Sequence, residues 1–570
     1  MADERNYFLW FSDIHYDPYY STAQAYSNPF DPAVCNDASS IPSIGKHGCD
    51  SPEALVRAAF DRAVGITAQE GSSPTFIVIT GDSIRHGVDE LFGETEASNV
   101  DDSATSEGMK AAGLIIRELA SIVQEYFPKA EIIFSIGNND VVPDYHLDLM
   151  GDTHSILDVK SAGMLGVIYQ ALSIDDGTKN TQATGNGGMG RAYLKSSDKF
   201  TFLRGGYYYR TFHNGSLIVL SLNTVLYSGF LQPAPSNRDD PGGQFTWLKI
   251  MLAEARQNGA QVIVVGHIPP TIGSFRHTQV WKDEYIETYY NIINQFDGVV
   301  KAQLFGHLHT DEFRVIGMEG SSENFTMMGT PLLITPSITP LHGNDPSFRL
   351  MRYGRGSGVS KSENTANGDG YRMLDYESHR CSIDSGNNWM KLYTFSETYS
   401  VKSNLIQNEG LSSSVFRDIV QSIQDGNEGS ESTLFKSFRN FLRSGADGNS
   451  LQTGANIDCN AQCQDEWICT FTSATRRGYD TCLLDRQNSQ NSYYSANGKS
   501  IIGIVGAVLF VTAFIFVAVV RFVKLKKRQH YESTPSVQGE ETNGSAKVTA
   551  GGEAVPQKPL SLNDDDDDDV

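Results

Sequence analysis

Short apolar runs, each closing on a polar or glycine-containing cluster, recur along the first half of the chain. They are Tyr7 to Phe11, Phe76 to Thr80, Glu131 to Ile136, Leu217 to Leu222, Val262 to Val265 and Ala302 to Phe305. Runs of this length bounded by turn residues read as buried strands. Between several of them apolar residues recur at helical spacing, over 52–69, 108–126, 244–257 and 282–295. Strands alternating with amphipathic helices predict an α/β domain whose helices pack outside the sheets. Stretches rich in Gly, Ser and Asn at 177–190 and 354–370 interrupt the pattern and are expected as surface loops. From about Ser400 the pattern turns helical and runs to a cluster of cysteines, and no internal repeat is evident.

One run is different. From Ile501 to Val520 the chain carries no charge, and its whole helical circumference is apolar. That length spans the roughly 30 Å hydrocarbon core of a bilayer. Lys499 precedes the run, whereas Arg521, Lys524, Lys526, Lys527 and Arg528 follow it. Positive charge stays cytosolic, so the expectation is a single-pass type I arrangement. The tail is then inside, and everything before Ile501 is luminal, as in a vacuole or lysosome, or extracellular. Such a topology needs an export signal, yet no apolar leader follows Met1. A leader is therefore expected upstream of Met1. The expected partition is a catalytic domain over 1–399, a helical cysteine-containing region over 400–498, a membrane helix over 501–523 and an acidic, solvated tail over 524–570.

Composition sharpens this picture in two places. The formal charge of −23 leaves no basic footprint for nucleic-acid duplex binding. An anionic substrate must therefore meet a local cationic feature. Of seven cysteines, Cys35 and Cys49 lie near the start, Cys459, Cys463, Cys469 and Cys482 cluster near the end, and Cys381 stands alone. Their spacing does not form paired C-x-x-C hooks, so disulfides are favoured over zinc, with three pairings open among the last four. Asn214-Gly-Ser and Asn324-Phe-Thr are glycosylation acceptors consistent with export.

The strand ends carry the candidate chemistry. In order they read Asp13-Ile-His15, Gly81-Asp82, Gly137-Asn138-Asn139-Asp140, Gly266-His267 and Gly306-His307-Leu-His309. Oxygen and imidazole donors of this kind suit zinc, manganese or iron rather than thiolate-seeking metals. Alternation along a strand puts Asp13 and His15 on one face, and His307 and His309 repeat the spacing. A single such fragment is more often a turn; five in this order, each after an apolar run, form a strong signal.

With these motifs, and with His47-Gly-Cys49-Asp-Ser-Pro52, Ser221-Leu-Asn-Thr224, Asp240-Pro-Gly-Gly-Gln244, Gly266-His-Ile-Pro-Pro270 and Pro336-Ser-Ile-Thr-Pro340 followed by Asn344-Asp-Pro346, the sequence resembles the calcineurin-like metallophosphoesterases. Within them it resembles the acid sphingomyelinase-like phosphodiesterases, from Phe8 to the terminal cysteine cluster. The resemblance implies a four-layer α/β/β/α sandwich. It also implies two divalent ions, zinc by preference, with Asp13, His15, Asp82 and His309 around one and Asp82, Asn138, His267 and His307 around the other. Two cations roughly 3.5–4 Å apart clamp both oxygens of an in-line displacement and lower the pKa of bound water towards about 7, so that hydroxide attacks directly. His86 matches a family histidine that contacts substrate and helps protonate the leaving group.

Asn139 stands where most members of the family carry a histidine acid. An amide is no useful proton donor. An alkoxide leaving group wants general-acid help worth typically 10²–10⁴-fold. A phosphate leaving group, with a second pKa of about 6, can depart unprotonated. Asn139 therefore tilts the expectation towards phosphoanhydrides. Gly81-Asp-Ser-Ile-Arg-His86 and Gly137-Asn-Asn-Asp140 also resemble loops of the endopolyphosphatase branch, in which Arg85 would hold a phosphate chain. Asp140 and His86 are the residues able to replace the missing acid. The leading expectation is an endopolyphosphatase-like hydrolase. The alternatives are an acid sphingomyelinase-like phosphodiesterase acting on lipid or nucleotide phosphodiesters, and an inactive membrane receptor on the same scaffold. The substrate is then a phosphate-containing small molecule or polyphosphate, and the residues leave the oligomeric state open.

Overall fold

The computed structural model describes residues 6–26, 35–36, 44–92, 106–149, 158–173, 193–274, 277–317, 330–355, 370–401, 410–424, 433–445, 459–488 and 521. The expected membrane helix, the acidic tail, the two Gly-rich loops and Asn324 lie outside them, apart from their edge residues and Arg521. Among the described residues no helix is long and apolar enough to cross a membrane. The chain divides into two units, Met1–Ser489 and Gln490–Val570, and all that follows concerns the first.

Its strands form two six-stranded sheets. One contains β1 (Asn6–Phe11), β2 (Phe76–Ile79), β3 (Glu131–Phe134), β10 (Ser347–Arg355), β11 (Tyr371–Cys381) and β12 (Trp389–Thr394) in the order β12-β11-β10-β1-β2-β3. The other contains β4 (Tyr208–Phe212), β5 (Leu217–Ser221), β6 (Gln261–Val265), β7 (Val300–Phe305), β8 (Glu312–Arg314) and β9 (Leu332–Ile334) in the order β4-β5-β6-β7-β9-β8. The six strands expected from apolar runs form parallel sets: β1–β3 one end of the first sheet, with β3 at its edge, and β5–β7 the middle of the second. Parallel strands are buried on both faces, which is why they read as continuous apolar runs. The strands that pair antiparallel, β4, β8, β10, β11 and β12, carry polar positions and left no such run.

Side-chain parity divides the packing. Phe8, Trp10, Phe76, Val78 and Ile133 of the first sheet share a core with Leu217, Val219, Ile263, Val265, Ala302 and Leu304 of the second. The alternate residues Leu9, Phe11, Ile77 and Ile79 pack with Leu55, Phe60, Ile115 and Leu119 of helices Glu53–Glu70 and Glu107–Tyr126. Ile218, Leu220, Val262 and Val264 pack likewise with residues of helices Gln244–Asn258 and Asp283–Gln295. Each fully buried side chain of this size contributes roughly 1.5–3 kcal/mol. The helices Ser413–Gln424, Thr433–Leu442 and Ala461–Thr472 join the inter-sheet core through Phe416, Phe438 and Phe471, which surround Phe313 of β8.

The disulfides are Cys35–Cys49, Cys459–Cys463 and Cys469–Cys482, which settles the pairing left open by the spacing. Cys381 is unpaired and buried. Parallel pairing sends the C-terminal ends of β1, β2 and β3 to one edge of their sheet, and those of β5, β6 and β7 to one edge of theirs. In open α/β sheets such edges are where ligands bind.

Candidate metal centre

Every candidate ligand follows one of these strand ends within a few residues, and backbone hydrogen bonds stitch the ends together. Asp13 N–H donates to the Gly81 carbonyl at 3.1 Å and His15 N–H to the Asp82 carbonyl at 3.0 Å, joining the tips of β1 and β2. Gly306 N–H donates to the His267 carbonyl at 2.9 Å, joining β7 to β6. The turns are tight enough to force left-handed backbone on residues that disfavour it: φ is 48° at Asp13, 45° at His15, 50° at Asp82, 71° at His307 and 56° at His309. Non-glycine residues in this region cost of order 1–3 kcal/mol each and concentrate at functional sites. Close approach also explains two of the glycines. A Cβ on Gly137 would lie 2.0 Å from Asp82 Oδ1, and one on Gly306 would lie 1.9 Å from Ser12 Oγ and 2.6 Å from Asp13 Oδ2.

The structure brings the seven expected ligands into two adjoining groups. Asp13, His15 and His309 each present a donor atom within 4.8 Å of the others, and Asp82, His267 and His307 do the same. Asn138 joins the second group through Oδ1, which lies 3.0 Å from His267 Nε2. Asp82 touches both, with Oδ2 3.5 Å from His15 Nε2 and 3.2 Å from His267 Nε2. All but His307 are buried.

Whether the donor set fits a cation turns on what else could sit between these atoms. His15 Nδ1 lies 3.1 Å from the Ile84 carbonyl and His267 Nδ1 2.7 Å from the Thr80 carbonyl. A carbonyl only accepts, so both Nδ1 atoms carry the proton, and in the neutral ring Nε2 presents a lone pair. His15 Nε2 is then a buried acceptor without a hydrogen-bond partner, aimed at a carboxylate. His267 Nε2, Asn138 Oδ1 and Asp82 Oδ2 likewise form a knot of acceptors. Lone pairs converging in a buried place repel unless a positive charge lies among them. Without metal a proton can serve: burial opposes charge on His267, but Asp82 outweighs it and pushes the imidazole up to about 9. For His307 burial and then His267 outweigh the carboxylates of Asp82 and Asp13 and push it down to about 3. The residues fit a pair of divalent cations.

The expected substrate-facing residues behave differently from the ligands. Asn139 is buried, and it donates through its backbone N–H to Asp82 Oδ1 at 2.9 Å and through Nδ2 to Asp82 Oδ2 at 3.0 Å. It fixes the central carboxylate. Arg85 is also buried, with Nε donating to the His86 carbonyl, Nη1 to the Gln24 carbonyl, and the guanidinium 3.5 Å from Asp17. Its guanidinium thus ties the loop after β2 to the loop after β1. Asp140 accepts from Ser83 N–H and Gly137 N–H, both at 2.8 Å. It clamps the two ligand loops together, and burial, then the charge of Asp82, pushes its carboxyl up to about 7.

His86 is half-buried at the edge of the cluster, its ring stacked on His15 with centroids 3.8 Å apart. Its Nδ1 lies 3.0 Å from Asp50 Oδ1, and its backbone N–H donates to Asp50 Oδ2 at 2.9 Å. Burial disfavours its charged form, but Asp50, reinforced by Asp82 and Asp144, outweighs burial and holds the imidazole above its ordinary range. Asp50 is fully buried and follows Cys49, whose disulfide to Cys35 anchors the segment. Neither Asp50 nor Asp144 was expected to act here. Asp144 accepts from Asn138 Nδ2 at 3.1 Å and so turns the amide oxygen towards His267. The signal for Asp50 was present in His47-Gly-Cys49-Asp-Ser-Pro52, but nothing local ties it to a histidine 36 positions on.

Comparison with known proteins agrees with this geometry. Residues 7–311 match the family model of the calcineurin-like phosphoesterases, more than half of the chain. The chain belongs to the calcineurin-like phosphoesterase family and is a metal-dependent phosphoester hydrolase. Among its relatives, a protein named sphingomyelinase phosphodiesterase D from Dictyostelium discoideum is 26% identical over 433 residues, covering 75% of this chain and 82% of the relative. The human acid sphingomyelinase-like phosphodiesterase 3b is 26% identical, covering 84% of this chain and 90% of its own. The human cyclic GMP-AMP phosphodiesterase SMPDL3A is 23% identical, covering 83% and 88%. Among solved structures, a dimetal phosphatase from Danio rerio aligns with a TM-score of 0.33 at 11% identity, over 62% of this chain and 96% of its own.

Proposed function

We propose that the chain is a dinuclear-metal phosphodiesterase of the acid sphingomyelinase-like kind, with Asp13, His15, Asp82, Asn138, His267, His307 and His309 holding the ions. Bound there, two divalent cations, zinc by preference, neutralise the phosphoryl oxygens and activate water. The protein's own groups do the rest. Asn139 and Asp82 keep the floor of the site in register, and Asp144 orients Asn138. His86, charged through Asp50, delivers a proton to the departing oxygen.

The observation that carries this reading is the Asp50–His86 pair beside His15. The anhydride expectation rested on an acid missing at Asn139 and on Arg85 as a phosphate holder. A charged His86 supplies the acid from another direction, and Arg85 is engaged with Asp17 and the Gln24 carbonyl of the loop after β1. Diesters with alkoxide leaving groups are therefore within reach, in keeping with the names of the relatives. Endopolyphosphatase-like cleavage stays as the second reading, because the loops around Asp82 and Asn138 resemble that branch.

The test is turnover of bis(p-nitrophenyl) phosphate and of an alkyl phosphodiester by the metal-loaded chain. Hydrolysis of both, with His86→Gln losing far more on the alkyl ester, is expected; cleavage of polyphosphate alone would overturn the diesterase reading.

The four-layer sandwich is supported by the division of side-chain parity between an inter-sheet core and two helix-covered faces. Type I topology with the catalytic part luminal or extracellular is supported by three disulfides, all before Ile501. Exposed Asn214, in the turn between β4 and β5, is accessible for a glycan. Protease protection of sealed vesicles from expressing cells checks the sidedness: the ectodomain survives and the tail is digested.

A further inference from the structure

The loop after β9 approaches the metal centre from above. Ile338 N–H donates to the Ser12 carbonyl at 3.2 Å and Thr339 N–H to the Asp13 carbonyl at 3.0 Å, so the loop lies against the tip of β1. Three residues on, His342 is exposed and faces the site, its ring 4.7 Å from that of His309 and 6.3 Å from that of His86. Behind it stands Arg443, just past the end of helix Thr433–Leu442. Its Nη1 donates to the His342 carbonyl, and its own carbonyl accepts from Asp345 N–H at 3.3 Å.

Arg443 is unusual among the arginines near the site. Arg85 is matched by Asp17, Arg349 by Asp311 and Arg380 by Asp345. Arg443 has no carboxylate within ion-pair distance among the described residues, while its Nε, like those of Arg349 and Arg380, is buried with no hydrogen-bond partner. Asp345, whose N–H meets the Arg443 carbonyl, is already held by Arg380 at 2.7 Å and approached by His47 at 3.5 Å. A guanidinium without an anion, partly withdrawn from water, is costly to keep unless a ligand supplies the missing charge. Guanidinium is also the side chain best shaped to take a phosphate through two parallel hydrogen bonds. The protein is strongly acidic, so a guanidinium left without a carboxylate here is a selective feature rather than part of a general basic surface.

We propose that Arg443, with His342 in front of it, forms a subsite for a second anionic group on the substrate, a phosphate adjacent to the one being cleaved. The inference rests on the hydrolase reading above and adds to it the residues that favour a substrate carrying a second phosphate over one with a zwitterionic head group. A structural role, in which Arg443 only ties the helix end to the loop, is the competing account. It predicts no dependence on the substrate's charge.

The experiment uses the metal-loaded full chain, its Arg443→Gln and Arg443→Lys variants, and three probes: bis(p-nitrophenyl) phosphate with one negative charge, tripolyphosphate and ATP. Affinities for the last two are read as inhibition of diester turnover and independently by calorimetry. A charged hydrogen-bonded contact predicts that Arg443→Gln weakens tripolyphosphate or ATP binding about tenfold more than it raises the KM for the diester. Arg443→Lys should recover part of that difference. Loss with both polyanions assigns the subsite to phosphate itself, loss with ATP alone to nucleotides, and loss with tripolyphosphate alone to phosphate chains. Equal proportional losses on all three probes with a lowered unfolding temperature, or unchanged affinities for both polyanions, would overturn the subsite. Wild-type protein inert towards the diester would instead strike the hydrolase reading, while calorimetry still reports on Arg443.

Discussion

The floor and the rim of the site are built on opposite plans. The floor is made of residues at the ends of parallel strands, all buried but His307, five of them in left-handed backbone, locked by hydrogen bonds between neighbouring strand tips. The rim is assembled from parts distant in sequence: Asp50 against His86, and Arg443 from a C-terminal helix against His342. The floor is uniform in purpose, since every lone pair there converges on the place where positive charge must sit. The rim is where one member of a family can differ from another, because its charges face whatever is joined to the scissile phosphate. Binding shared by all substrates belongs to the floor, and discrimination between them belongs to the rim.

That comparison can be broken by substitution, beginning with the floor. Asp82→Ala removes the carboxylate shared by both groups and should abolish turnover of every substrate, a loss of at least about 10³-fold of the kind expected when a metal site is dismantled. Activity surviving at a tenth of wild type would mean that the floor is not the reaction centre. Chelation should have the same effect, with recovery on adding back zinc or manganese, checked by phosphate release.

Next comes the proton donor. His86→Gln should lower kcat about 10²–10⁴-fold on an alkyl phosphodiester and much less on a substrate whose leaving group needs no proton. Equal losses on both would show that His86 serves structure rather than proton transfer. The acid limb of this idea has a defined sign. Asp50 holds His86 above its ordinary value, so the proton is present at low pH and is lost as pH rises through that raised value. Turnover of the alkyl diester should therefore fall on the alkaline side. Asp50→Asn should move that fall to lower pH, and a profile unmoved by the substitution would separate Asp50 from the chemistry. The smallest effect expected is that of Arg443→Gln, confined mainly to polyanionic ligands.

The same contrast explains what the sequence made legible. Asp13, His15, Asp82, Asn138, His267, His307 and His309 each sit in a short motif directly after an apolar run, so strand, turn and donor are read together. The parallel strands β1–β3 and β5–β7 were legible for the related reason that burial on both faces leaves an unbroken apolar signature. Asn139, Arg85 and Asp140 were placed in the right loops but without the partners they meet there, because a motif gives a residue's address but not the direction of its side chain. Asn139 turns inwards to Asp82, and Arg85 to Asp17 and the Gln24 carbonyl. Asp50, Asp144, His342 and Arg443 escaped for a stronger reason. Asp50 and Arg443 meet their partners across 36 and 101 positions of chain, and no local periodicity encodes contacts of that range. The antiparallel strands from β10 to β12 escaped because alternating polar positions diluted their hydrophobic signal.

Catalysis by this site requires first that cations fill the gap between acceptors that otherwise face one another at His15, His267, Asn138 and Asp82. The direct measurement is elemental analysis by inductively coupled plasma mass spectrometry of the purified chain and of its Asp82→Asn variant, both confirmed folded by circular dichroism. Two equivalents of a divalent transition metal in the wild type, falling to one or fewer in the variant, is the predicted result. A folded wild type that takes up no metal after incubation with zinc, manganese or iron, or a variant that retains both equivalents, would contradict it.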